Sequence, residues 1–228
     1  MLSLSRRGLL LGGVALTVAG CGSIIGPNGP PAQIYLLNPT LGPVEGPDVN
    51  WQLAVSEPTC DDSINSLRIA LHRGSMMDYY ADAQWTDEAP KVVQTLLVVA
   101  FEQSGHISAV ARESDGLHAD YLLQMEMRDF EARYDGASGA PTAVVTIVAR
   151  LLKSPGREVI ATRNASHQAP ASVNSVPAVV DAFNQATGAV LTEIVGWALR
   201  APGGVNEDHI NANAPASPVH HRRRRHHS

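Results

Sequence analysis

The apolar residues of this chain change their spacing along the sequence, and that change limits the folds open to it. Val92, Val93, Leu96, Leu97, Ala100 and Phe101 recur at helical spacing within DEAPKVVQTLLVVAFEQSG. Val176, Val179, Val180, Phe183, Ala186, Val190, Leu191, Ile194 and Trp197 form a second such stripe between Ser175 and Arg200. Thr86 or Asp87 is placed to cap the first helix, Asp87 and Glu88 suit its dipole, and Gly105 ends it. Ser175 before Pro177 starts the second, and Arg200 followed by APGG closes it.

Elsewhere the chain reads as strand. QIYLLNP, WQLAVSEP, SLRIALHRG, MMDYYADAQW and HISAVAR are extended segments, and Trp51, Leu53 and Val55 share one face of the second. In ADYLLQMEMRDFEARYD, Tyr121, Leu123, Met125 and Met127 alternate with Leu122, Gln124, Glu126 and Arg128, as in a half-buried strand. The loop GASGAP, the β-branched run TAVVTIVARLLKS, the turn SPG and REVIATRNASHQAP complete an antiparallel three-stranded meander. The order is strands, helix, strand, meander, long helix. It predicts an α/β domain with a mixed, largely antiparallel sheet packed by two main helices.

The N-terminus, MLSLSRRGLLLGGVALTVAGC, has another character. Arg6 and Arg7 precede an apolar stretch from Gly8 to Ala19, with no acid before Glu45. As a helix the stretch would span roughly 18 Å against a hydrocarbon core of about 30 Å, so it reads as an export signal. Val18-Ala19-Gly20-Cys21 matches a bacterial lipobox, in which the cysteine thiol is alkylated with a diacylglyceryl group before cleavage. An ordinary signal peptide with a chance cysteine is the blander reading; the lipoprotein reading is preferred, with Cys21 as the first mature residue. One acyl chain holds a membrane only marginally, so two or three make the anchor stable. SRRGLLL fits a twin-arginine signal or a general-secretion one, and the route stays open. Gly22, where an aspartate would favour the inner membrane, points to the periplasmic face of the outer membrane, with the inner membrane as the other option.

The chain therefore divides into a cleaved signal peptide (1–20), a flexible Gly- and Pro-rich tether (21–33), the α/β domain (34–200) and a disordered tail (201–228). A tether of this length has a root-mean-square reach of roughly 20 Å, which keeps the domain close to the membrane.

Charge and motifs exclude several functions. Of 17 Lys and Arg, two lie in the leader and four in the tail, leaving 11 against 22 acids over residues 21–218, a net of −11. Such a body is a poor match for nucleic acid. Once Cys21 is lipidated only Cys60 remains, so no internal disulfide forms, and the domain stands by packing alone. Cys60 sits in the turn-like EPTCDDS, where the neighbouring carboxylates disfavour the thiolate. The chain holds no GxSxG, SxxK, GxxxxGK[ST], HExxH or CxxC pattern. His72, His106, His118 and His167 are too dispersed in sequence to suggest a metal site. Asp61 and Asp62 read as turn chemistry, and the tail HHRRRRHHS as a charged end without a specific role. No enzyme, metal or cofactor is expected.

Tyr79, Tyr80 and Trp85 are the residue types that dominate protein interfaces, and they cluster just before the first helix. Two readings stand: a partner-binding face, or a cover for the sheet edge that staples the helix start.

The chain resembles the ABC-type transport auxiliary lipoproteins associated with MCE (mammalian cell entry) systems. The resemblance rests on Cys21, YLLNP (Tyr35–Pro39), Arg68-Ile69-Ala70, MDYYADAQWTDEAP (Met77–Pro90), Asp129-Phe130 and AFNQA (Ala182–Ala186), in that order. It implies an α/β sandwich related to the N-terminal domain of TolB. It also implies a non-enzymatic, lipid-anchored subunit working with an MCE-domain periplasmic protein, an ABC permease and an ATPase to move phospholipid or other hydrophobic cargo. Homo-oligomers are compatible with it. The alternatives are a structural or regulatory outer-membrane lipoprotein of envelope maintenance, a lipid carrier with its own cavity, and an unrecognised hydrolase.

Overall fold

The computed structural model describes residues 31–135 and 139–203. Cys21, the leader, nearly all of the tether, the first half of the GASGAP loop and the tail beyond Gly203 lie outside the described residues. The compact unit that carries the sheet begins at Ala32.

The elements follow the predicted order. They are β1 (Gln33–Tyr35), β2 (Val49–Val55), β3 (Thr59–Cys60), β4 (Arg68–Arg73), β5 (Met76–Trp85), α1 (Ala89–Ser104), β6 (Ile107–Arg112), β7 (Tyr121–Arg133), β8 (Thr142–Lys153), β9 (Glu158–Pro170) and α2 (Val176–Arg200). Short 3-10 turns follow β6 at Glu113–Asp115 and α2 at Ala201–Gly203.

All nine strands join one sheet, and β7 is its spine. One edge of β7 pairs with β8 along its whole length, from Tyr121↔Lys153 to Arg133↔Thr142. The other edge is shared among β2 (Leu53↔Tyr121), β3 (Thr59↔Glu126) and β4 (Leu71↔Ala132). Beyond these, β6 flanks β2, β5 flanks β4, and β1 flanks β5, while β9 flanks β8. The β4–β5, β7–β8 and β8–β9 ladders are antiparallel, and the other pairings are parallel.

The alternation read in β7 continues only to Met127. There the ladder slips, with Met127 opposite Ile147 but Asp129 opposite Thr146, so Arg128 is an extra residue. Such a bulge reverses the parity of the strand. Met125 and Met127 before it and Phe130 and Ala132 after it therefore all face the core.

Both helices pack into this core. α1 lies against β6 and β2, α2 against β8 and β9, and the helices touch each other. Val93, Leu97, Ala100 and Phe101 are the buried stripe of α1; Val179, Phe183, Val190, Leu191 and Ile194 are that of α2. Ser175 caps α2 through its side-chain oxygen, which accepts from the Ala178 amide. The cap of α1 differs from expectation. Glu88 occupies that position without a side-chain cap bond, and Asp87 accepts only from the Glu88 amide, at 2.8 Å. Pro90 has no N–H and belongs among the first amides of a helix, which have no internal partner, and this sets the start at Ala89. Gly105 ends α1 with φ of 70°, a left-handed conformation that glycine adopts without strain.

Residues 37–46 form a strap that leads from β1 to β2 along α2. The Asn38 amide donates to Asn184 Oδ1 at 2.8 Å, the Gly42 amide to Thr192 Oγ1 at 3.0 Å, and Arg200 donates to the Glu45 carbonyl. Gly188 and Gly196 on α2 leave room for the strap backbone to come close.

Candidate functional site

The aromatic residues read as one group in the sequence are separated by an irregularity in β5. Across β4, Arg68 faces Gln84 but Ala70 faces Tyr79, so residues 80–83 swell out of the ladder. This swelling exposes Ala81 and Asp82 and divides the tyrosines from the tryptophan.

Trp85 corrects the expectation of a contact residue. It is 2% exposed, with its ring edge-on to Phe183 at 5.2 Å and to Phe130 at 5.9 Å. Phe130 and Phe183 are themselves 5.0 Å apart. Trp85 is thus one corner of an aromatic triad that joins β5, β7 and α2. An indole is large and apolar, and at this inward-facing register the core holds it.

Tyr79 and Tyr80 stay half-buried at the surface. The Arg68 guanidinium lies over the Tyr79 ring, 3.4 Å from its centroid, and the Tyr79 hydroxyl donates to the Ser63 carbonyl at 3.0 Å. Tyr80 and Tyr134 bring their hydroxyls to 2.9 Å. Tyr134 donates onward to Asn174 Oδ1 at 2.9 Å, which makes Tyr80 the donor to Tyr134. Arg73 covers the Tyr134 ring at 4.5 Å. Burial first, and then the hydrogen bond to Tyr134, hold the Tyr80 phenol protonated far above its usual range, against a small opposing pull from Arg73.

A surface cleft of about 430 Å³ opens beside this group, lined by Gln33, Tyr35, Tyr80, Asp82, Val176 and Pro177. Tyr35 donates to Gln33 Oε1 at 2.7 Å on its rim. The structure thus adds Tyr35, Arg73, Tyr134 and Asn174 to the group. The residue types of Tyr35 and Tyr134 were visible in the sequence, but their distance along the chain from Tyr80 gave no sign of contact.

The remaining polar groups are largely engaged with one another. Glu126 accepts from Arg128 at 3.0 Å and Arg150 at 3.1 Å, and those two bonds lower its pKa. Glu131 pairs with Arg133 at 2.8 Å and lies 3.7 Å from His72. His106 meets Asp48 at 2.7 Å, and His167 meets Glu193, also at 2.7 Å. Among the described residues no three His, Cys, Asp or Glu side chains gather as a metal site would require. Cys60 belongs to the short β3, beside the acidic turn rather than within it. Burial pushes its thiol pKa up, and Asp61, Asp62 and Glu57 push it further.

Fold and surface together define a mixed-sheet α/β domain with two helices among the described residues, in which many ionic side chains pair with each other and Tyr35 and Tyr80 line a surface cleft. Among the described residues no helix is long and apolar enough to cross a membrane. The chain belongs to the family of ABC-type transport auxiliary lipoprotein components, whose family model matches residues 35–195. The family is an auxiliary part of transport and not a family of enzymes. In the crystal structure of a protein from Xanthomonas campestris the same fold recurs at 36% identity and a TM-score of 0.71, covering 75% of this chain and 97% of that one. A second crystal structure, of an uncharacterised protein, shares the fold at 13% identity and a TM-score of 0.57, over 75% of this chain and 98% of its own. An uncharacterised protein of Bradyrhizobium diazoefficiens is 29% identical over 161 residues, 71% of this chain. The chain spans 42% of the length of that relative.

Proposed function

We propose that this domain is a lipid-anchored, non-enzymatic subunit of an MCE-associated ABC transport system that moves phospholipid or other hydrophobic cargo. Cys21 carries the anchor, and the domain works from the periplasmic face of the outer membrane. Its partners are an MCE-domain protein and, through it, the permease and ATPase. The observation that carries the reading is one of extent. The family match, 35–195, runs from the end of β1 into the last turns of α2, so nearly the whole folded domain is the auxiliary component.

The surface suits a protein contact. Tyr79 and Tyr80 offer ring area with a polar tip, and Arg68 and Tyr134 hold those rings in fixed poses. Tethering supports the same role, because a short leash raises the local concentration of the domain near membrane partners and lets a modest interface persist. The test is crosslinking of the lipidated protein in native membranes, followed by identification of what is captured. Recovery of an MCE-domain protein with its permease and ATPase is the expected result. Recovery of cell-wall enzymes without any transporter subunit would overturn the reading in favour of a regulatory lipoprotein.

A further inference from the structure

Two of the most exposed large apolar side chains sit where the chain enters the sheet. Ile34 and Leu36 are 64% and 65% exposed. Ile34 belongs to β1, which among the described residues pairs with β5 alone, and Leu36 follows directly. Side chains two apart along an extended segment leave it on the same face. That face is opposite to Tyr35, which packs towards the core. The register carries it across three strands, with Ile34 beside Gln84 and Gln84 beside Arg68. The one charged residue in this row is a cation, stacked on Tyr79.

Charge singles out the same place. Residues 22–44 contain no Asp, Glu, Lys, Arg or His, in a body whose net charge is −11. Glu45 is the first acid after this run, and Asp82 and Asp87 are the nearest acids along β5 and the turn after it. Single exposed apolar residues are ordinary on a protein surface. A same-face pair on a charge-free edge strand of an acidic domain is more specific.

Chain length says what lies next to that edge. Twelve residues separate Cys21 from Ile34. That distance is at most about 45 Å when fully extended and has a root-mean-square of roughly 20 Å as a flexible coil. Of the nine strands, β1 is the closest along the chain to the anchor. Aliphatic side chains on a strand that carries no charge of its own suit the boundary between headgroups and acyl chains, and an arginine in the same row suits lipid phosphate.

We infer that Ile34 and Leu36 seat in the interfacial layer of the bilayer that holds the anchor, so that the domain stands on its β1 edge instead of swinging freely on the tether. The inference rests on the reading of Cys21 as the lipidated residue. It places the Gln33–Tyr80 cleft at membrane level and β9, on the far edge of the sheet, away from it.

The test uses the full lipidated protein with Cys60→Ser and a single added thiol, Leu36→Cys, labelled with an environment-sensitive dye in vesicles of phosphatidylethanolamine and phosphatidylglycerol. The control site is Val159→Cys, 50% exposed on β9. The expected result is a blue shift at position 36, quenched by nitroxide-bearing lipid, and neither effect at 159. Ile34→Cys, examined in the same way, guards against a local effect of the first substitution. Protein that floats with the vesicles while both dyes at β1 keep aqueous emission would overturn the seat and leave the anchor standing. Protein that does not float would remove the anchor and the seat together. A blue shift that needs no vesicles, grows with protein concentration and resists the lipid quencher would assign the edge to a second copy instead.

Discussion

Gly188 on α2 and Thr40 in the strap meet so closely that a Cβ on Gly188 would lie 2.5 Å from the Thr40 carbonyl oxygen. Gly188→Ala therefore sets two effects against each other. Alanine gains about 1 kcal/mol of helix propensity. The intruding methyl must displace backbone rather than a flexible side-chain end, and overpacking of this kind costs about 1–3 kcal/mol. Because the clash is with backbone, the upper half of that range applies, and the net expectation is a loss of about 1–2 kcal/mol, read as a lower urea midpoint with an unchanged slope. A variant as stable as the parent would mean that the strap is not seated on α2.

Trp85→Ala and Tyr80→Phe separate core from surface. Removing the Trp85 indole from the triad with Phe130 and Phe183 should cost about 3–5 kcal/mol, visible in a thermal melt. Tyr80→Phe keeps the ring and deletes only the hydroxyl bonded to Tyr134, a change of about 1 kcal/mol. Partner capture should thus fail in Trp85→Ala only to the extent that the domain unfolds. Loss of capture by a fully folded Trp85→Ala would contradict the buried position.

Stability should decline in strong base through Tyr80. Its phenol ionises later in the folded state than in the unfolded chain, so between those two values the folded state binds the extra proton. The contribution is whole below the unfolded value of about 10 and is lost as pH rises from there towards the folded one. Denaturant melts across this range should show a steeper fall for the parent than for Tyr80→Phe. Identical profiles would remove Tyr80 as the source.

Cys60 should alkylate slowly. Its thiol is raised by burial and by Asp61, Asp62 and Glu57, so less thiolate is present near neutrality than in a free cysteine. Reaction with iodoacetamide should accelerate when the domain is unfolded in urea. In the folded domain, Asp61→Asn with Asp62→Asn should bring only part of that gain, because burial is the larger cause. A full recovery of rate in the folded double variant would reverse that order.

The period of the apolar residues was enough to place both helices, the meander and the order of elements. Local rules failed where a ladder slips. The bulge at Arg128 lets Phe130 follow Met127 into the core, which strict alternation does not allow. The swelling of β5 between Tyr79 and Gln84 likewise separates Trp85 from two tyrosines that look equivalent in sequence. Both irregularities are set by the partner strand, which a local pattern does not contain. The pairing of Tyr80 with Tyr134 spans 54 residues and depends on β4 and β7 lying side by side, so no spacing rule announces it. The start of α1 was closer to legible, since Pro90 was in view and outweighed the capping residues before it.

The strap has a mechanical meaning. Whatever pulls on the N-terminal leash reaches the domain at β1, whose ladder to β5 has three paired positions, and next at the contacts of Asn38 and Gly42 with α2. Those contacts recur down the helix, from Asn184 through Thr192 to Arg200, so a load that peels β1 away passes on to α2 and is shared along its length. α2 is rooted in the aromatic triad through Phe183. A load that arrives through the strap would thus be taken up by the core, passing from α2 into the β8 and β9 strands it packs on and, through Phe183 and Phe130, into β7.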